Sequence, residues 1–123
     1  MPLLPSLLYA PQSYFEAPAA LRREVCNGCG SARAKFDFVP DTIYLMPIAE
    51  ACNIHDWMYH VGRTSADRQE ADVVFLGNLM RLIQQQRGVM NWLLRPFRRL
   101  RALHYYEAVA ELGAGAFFAG KHA

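Results

Sequence analysis

Five residues, Val61-Gly62-Arg63-Thr64-Ser65, constrain what this chain can fold into more than any other part of it. Before them, the stretch from Pro47 to about Val61 reads as a helix, with proline at the first helical position, where its missing N–H has no partner to lose. After them, Thr64 followed three residues on by Asp67 resembles a capping box. Phe75, Leu76, Leu79, Leu82 and Ile83 then recur at helical spacing, predicting a long helix to about Gln86. A short turn between two helices predicts an antiparallel pair. Residues 55 and 72 are equidistant from the midpoint of the turn, so the pairing sets His55 level with Asp72 on the facing helix.

Asp72 sits among Ala71, Val73, Val74 and Phe75. A carboxylate buried there without a partner would be destabilised by several kcal/mol, and His55 is the natural partner. A histidine held by a carboxylate keeps one tautomer, and its imidazolium is stabilised as it forms; these are the requirements of a general base. Asp56 lies about 100° further round the helix and faces whatever packs beside that base. The turn-rich loop Cys26-Asn27-Gly28-Cys29-Gly30-Ser31 is the segment expected there, because its Asn-Gly and glycine positions supply positive φ at little steric cost.

The rest of the chain completes an all-α reading of one domain over residues 1–123. With 53% apolar and 20% charged residues it is neither disordered nor fibrous. The first quarter, rich in proline and aromatics, is expected to wrap the surface as an extended arm before a short helix near Pro18 to Val25. Residues 32 to 46 carry no helical period and are expected to hold an irregular or short β segment around Phe36 to Val39. A third helix is predicted from about Asn91 to Ala110, kinked or split at Pro96. The tail from Gly113 to Gly120 reads as small and flexible, with Phe117 and Phe118 exposed. The apolar amino terminus lacks a basic flank and is broken by Pro5, so it does not read as a signal peptide, and no run is long enough for a transmembrane helix.

Net charge of +2 gives no ground for expecting nucleic acid as a partner. Its distribution is more informative. Between Arg87 and Arg101 stand five arginines and no acidic residue, interleaved with Trp92, Leu93, Leu94, Phe97 and Leu100. Such a run reads either as a solvated helix face or as a peripheral docking surface for anionic membrane, with Arg95, Arg98, Arg99 and Arg101 on headgroups and Trp92 and Phe97 at the interface.

The string Cys52-x-x-His55-Asp56-x-x-Tyr59, preceded by the Cys29-Gly30 turn and followed on the next helix by Asp72, Phe75 and Asn78, resembles the phospholipase A2 family, in particular its smaller bacterial members. The likeness covers about residues 26 to 83. It implies a calcium-dependent hydrolase acting on the sn-2 ester of glycerophospholipids. His55 would take a proton from water, Asp72 would orient His55, Tyr59 would support the hydrogen-bond network, and Asp56 would bind Ca²⁺ by its carboxylate. A glycine-containing loop over residues 27 to 32 suits the remaining oxygen ligands, with Asn27, Gly28 and Gly30 as candidates. The family's loop carries a further glycine where this chain has Ala32, and its secreted members hold many disulfides, whereas here only Cys29–Cys52 or Cys26–Cys52 can tie loop to helix.

Three cysteines also admit a rival of another class. Cys26-x-x-Cys29 and Cys52-x-x-His55 have the spacing of a Cys₃His structural Zn²⁺ site, which would make the chain a zinc-stapled binding module without catalysis. A phospholipase-like scaffold that has lost activity and serves only for interaction is the third reading.

Overall fold

A computed structural model describes residues 8–26, 42–118 and 121. Its architecture is helical: α1 (Gln12–Glu16), α2 (Ala19–Val25), a two-stranded hairpin of β1 (Thr42–Ile43) and β2 (Met46–Pro47), then α3 (Ala49–Val61), α4 (Ser65–Gln85), α5 (Val89–Leu112) and α6 (Ala114–Phe118). The long α4 lies between α3 and α5 and packs against both, while α6 reaches α3 and α5.

The turn behaves as its sequence requires. Thr64 Oγ1 accepts from the Asp67 N–H at 3.1 Å, and Asp67 Oδ2 accepts from the N–H groups of Thr64 and Arg63 at 3.1 and 2.8 Å. The box satisfies orphan donors at the start of α4 and fixes where the reversal occurs. On the α4 face turned inward, Ala71, Phe75, Leu79 and Ile83 are buried in one hydrophobic core with Ile54, Trp57 and Met58 of α3. At the other end, Gly88 opens α5 with φ 96°, a value that only glycine adopts freely.

Several elements depart from the sequence expectation. Pro47 does not start α3; it ends β2 opposite Thr42, and the helix begins two residues later. The hairpin replaces an irregular stretch and turns on Tyr44 and Leu45, both at positive φ (44° and 71°), as a two-residue type I′ turn demands. The segment Phe36 to Val39, where a β segment was expected, lies outside the described residues. The amino-terminal arm contains α1, and it is pinned to α4 by a two-way amide pairing: Tyr9 N–H donates to Asn78 Oδ1 at 2.8 Å and Asn78 Nδ2 donates to the Tyr9 carbonyl at 2.9 Å. Pro96 does not split α5, which is assigned as one helix across it. The proline stands on the exposed side of the helix. Finally, the carboxyl-terminal segment forms α6, and Phe117 is fully buried there, edge-on to the Tyr59 ring at 5.2 Å. It is core, while Phe118 beside it is exposed.

Candidate functional site

His55 and Asp72 meet as the turn arithmetic predicts. His55 Nε2 lies 2.8 Å from Asp72 Oδ1, and the two residues are only 4% and 3% exposed. Tyr59, one helical turn after His55, donates its hydroxyl to the same Asp72 oxygen at 2.7 Å. The carboxylate therefore receives two donors from α3 across the helix interface. Around it, the His55 ring packs on Tyr59 and Phe75 with centroids 4.2 and 4.9 Å apart, so the polar cluster is walled by aromatic surface.

The electrostatics follow from this burial. The His55 pKa is driven below its ordinary 6.5, mainly because burial disfavours the imidazolium, with the hydrogen bond and charge of Asp72 opposing that shift. The ring is neutral at pH 7. With Asp72 accepting at Nε2, the neutral tautomer carries its hydrogen there and its lone pair on Nδ1. Tyr59 is held protonated well above the usual phenol range, first by burial and then by the Asp72 carboxylate, which fixes it as a donor; Arg68 acts in the opposite direction.

Arg68 is a member of this cluster that sequence reading missed. It lies one turn before Asp72 on α4, interacts with the Tyr59 hydroxyl, and donates through Nη2 to the Ala110 carbonyl of α5. The i, i+4 spacing from Asp72 was the available signal. Phe117, which covers Tyr59, carried no such signal, because its packing depends on the chain turning back at Gly113. Close packing is required there: a Cβ on Gly113 would stand 2.4 Å from the Tyr59 hydroxyl, and one on Gly62 would stand 2.7 Å from the Phe117 ring.

Asp56 is half-buried, one residue on from His55, and its charge is felt at Cys26, the last described residue before the turn-rich loop. Cys26 is a free thiol pushed up to about 12, by burial first and then by the charges of Asp56 and Glu50. Cys52 is disulfide-bonded, so of the two pairings left open by the sequence the one through Cys26 is excluded. Asn27, Gly28, Cys29 and Gly30 lie outside the described residues. Among the described residues, no three His, Cys, Asp or Glu side chains are grouped to hold a metal.

The arginine segment divides under the structure. Arg99 and Arg101 are exposed and Arg95 is half-buried. Arg98 is buried, which removes it from any surface role. Its guanidinium donates to the Ile43 carbonyl at 3.3 Å, the Tyr44 carbonyl at 2.7 Å and Asn91 Oδ1 at 2.8 Å. A charge run in sequence does not reveal which member lies under a hairpin; Arg98 falls on the inward face of α5 with Ala102, Tyr105 and Val109.

Comparison of the chain with protein-family models, with curated proteins and with solved structures found no match.

Proposed function

We propose that this protein is a calcium-dependent, phospholipase A2-like hydrolase of the sn-2 ester of glycerophospholipids. The observation that carries the reading is the buried 2.8 Å contact of His55 Nε2 with Asp72 Oδ1, buttressed by Tyr59. This arrangement supports a base. Asp72 keeps the Nε2 hydrogen in place, Nδ1 is the nitrogen that accepts a proton from water, and the imidazolium formed at that moment faces a carboxylate already positioned to stabilise it. The resulting hydroxide attacks the ester carbonyl, and the proton on His55 returns to the departing alkoxide. The aromatic wall limits water around the dyad and strengthens these interactions.

Asp56 fits a hard cation. It is a carboxylate one residue from the base and beside the start of a loop rich in glycine, and Ca²⁺ takes carboxylate and carbonyl oxygens. Asp56 would hold the ion, with Asn27, Gly28 and Gly30 as the proposed partners. Bound there, Ca²⁺ would polarise the ester carbonyl and stabilise the oxyanion.

The Zn²⁺ reading has less support. A disulfide-bonded Cys52 offers no thiolate, and the Cys26 thiol is held protonated. A zinc-stapled domain should melt far lower with chelator or with Cys26→Ser, whereas the hydrolase should tolerate both in its fold.

The test is release of fatty acid from phosphatidylglycerol by the purified chain with Ca²⁺ and with chelator. Turnover should require Ca²⁺ and vanish in His55→Gln. Because burial lowers the His55 pKa, the rise of rate with pH should lie below 6.5 and be complete by neutrality. Turnover retained in His55→Gln overturns the assignment, and a folded parent that binds Ca²⁺ yet releases no fatty acid points to the inactive scaffold.

A further inference from the structure

Helix α5 has two apolar faces where a surface helix has one. Its inward face buries Ala102, Tyr105 and Val109. At 100° per residue, Val89, Trp92, Leu93, Phe97, Leu100 and Leu103 lie roughly 110–170° round the axis from that face. All six are exposed, Trp92 at 63% and Phe97 at 57%. They form one stripe along more than half the helix, and no described element covers it. Isolated exposed leucines need no explanation; a continuous stripe containing a tryptophan and a phenylalanine does.

The charge around the stripe selects its occupant. Arg99 and Arg101 border it on either side, Arg87 precedes it, and residues 87 to 101 contain no acid. Glu107 and Glu111 fall on the same arc of α5 only beyond Leu103, so the apolar part of the stripe is bordered by arginine and no acid. Apolar area bordered by arginines is complementary to an anionic bilayer surface, where the rings enter the interface and the guanidiniums remain with the headgroups. No described helix is long and apolar enough to cross a membrane, so α5 would lie on the bilayer and not through it. The hairpin adds a second display: Leu45, at its positive-φ tip, is 92% exposed. Arg101 ties that hairpin to α5, with its guanidinium over the Tyr44 ring at 5.4 Å and a 3.3 Å hydrogen bond to the Tyr44 hydroxyl.

We infer that the outer face of α5 docks this protein on anionic lipid bilayers. Docking stands apart from the hydrolytic reading, because none of these residues touches His55 or Asp72.

The experiment uses the full chain and vesicles of ether-linked lipids, which hold no ester to cleave, so binding is read separately from hydrolysis. Vesicles of phosphatidylcholine are compared with vesicles of equal parts phosphatidylcholine and phosphatidylglycerol, by sedimentation and by tryptophan emission. Of the two tryptophans, Trp57 is buried and bonded to Ser13, so a blue shift on adding vesicles reports Trp92. The parent should bind the anionic vesicles more tightly, shift its emission, and lose binding as salt rises. The double variant Trp92→Ser/Phe97→Ser, which touches only exposed positions, should keep its circular dichroism and melting temperature and bind at least about tenfold more weakly. Failure of the parent to bind anionic vesicles overturns the inference. Equal binding by the double variant also overturns it, as does a parent dimer that the double variant dissolves.

Discussion

The α3–α4 interface and the outer face of α5 break the same rule in opposite directions. At the first, a histidine, a carboxylate and a tyrosine hydroxyl are buried; on the second, tryptophan, phenylalanine and leucines are left in water. The first exception is resolved at the carboxylate, since Asp72 accepts from both His55 and Tyr59. The second is unresolved among the described residues, none of whose elements covers the stripe. A satisfied polar cluster is expensive to disturb, whereas an uncovered apolar face is cheap to disturb.

The sharpest way to break the comparison is at the carboxylate. Asp72→Asn keeps the volume but can present its amide N–H₂ to the histidine, favouring the wrong tautomer; turnover should fall by about 10²–10⁴-fold while the protein stays folded. A kcat within a factor of about two of the parent would remove Asp72 from the base. Next in size is stability. Asp72→Ala strips the partner from two buried donors at once and should lower the unfolding free energy by about 2–4 kcal/mol in urea titration. Arg98→Met should cost a similar amount, about 2–3 kcal/mol, because the Ile43 and Tyr44 carbonyls lose their donor and the hairpin loses its tie to α5. Arg99→Met, one residue on but exposed, should change stability by less than about 0.5 kcal/mol. If the two arginine variants melt alike, the inner and outer faces of α5 are not distinct.

The smallest effect is that of pH. His55 has a depressed pKa in the folded state, so the unfolded chain binds the extra proton first. The contribution of a neutral buried His55 is fully present above pH 6.5 and is lost as pH falls from there through the folded pKa. Parent stability measured between pH 7.5 and 5 should therefore decline on acidification, and His55→Gln should decline less across the same range.

How much of this was legible beforehand depends on whether the cause was local. The turn, the capping box and the α4 periodicity are written in neighbouring residues, and with helical pitch they bring residues 55 and 72 together, although they are separated by 17 positions. Tyr59 follows from the same helix face. Arg68 was legible in principle, at i, i+4 from Asp72. The fate of Arg98 was not, because four nearby arginines look alike in sequence and only the hairpin lying across α5 distinguishes the one that becomes buried.

The helical hairpin and the facing of its histidine and aspartate follow from local pattern alone, since helix periodicity and capping act over a few residues and leave little choice of register. Pro47 ending a strand, Phe117 packed on Tyr59, Arg98 bound to backbone carbonyls and the exposure of the α5 stripe among the described residues came from packing between distant segments. Each of these depends on which surface of one element meets another, and burial is a property of that meeting rather than of the residue.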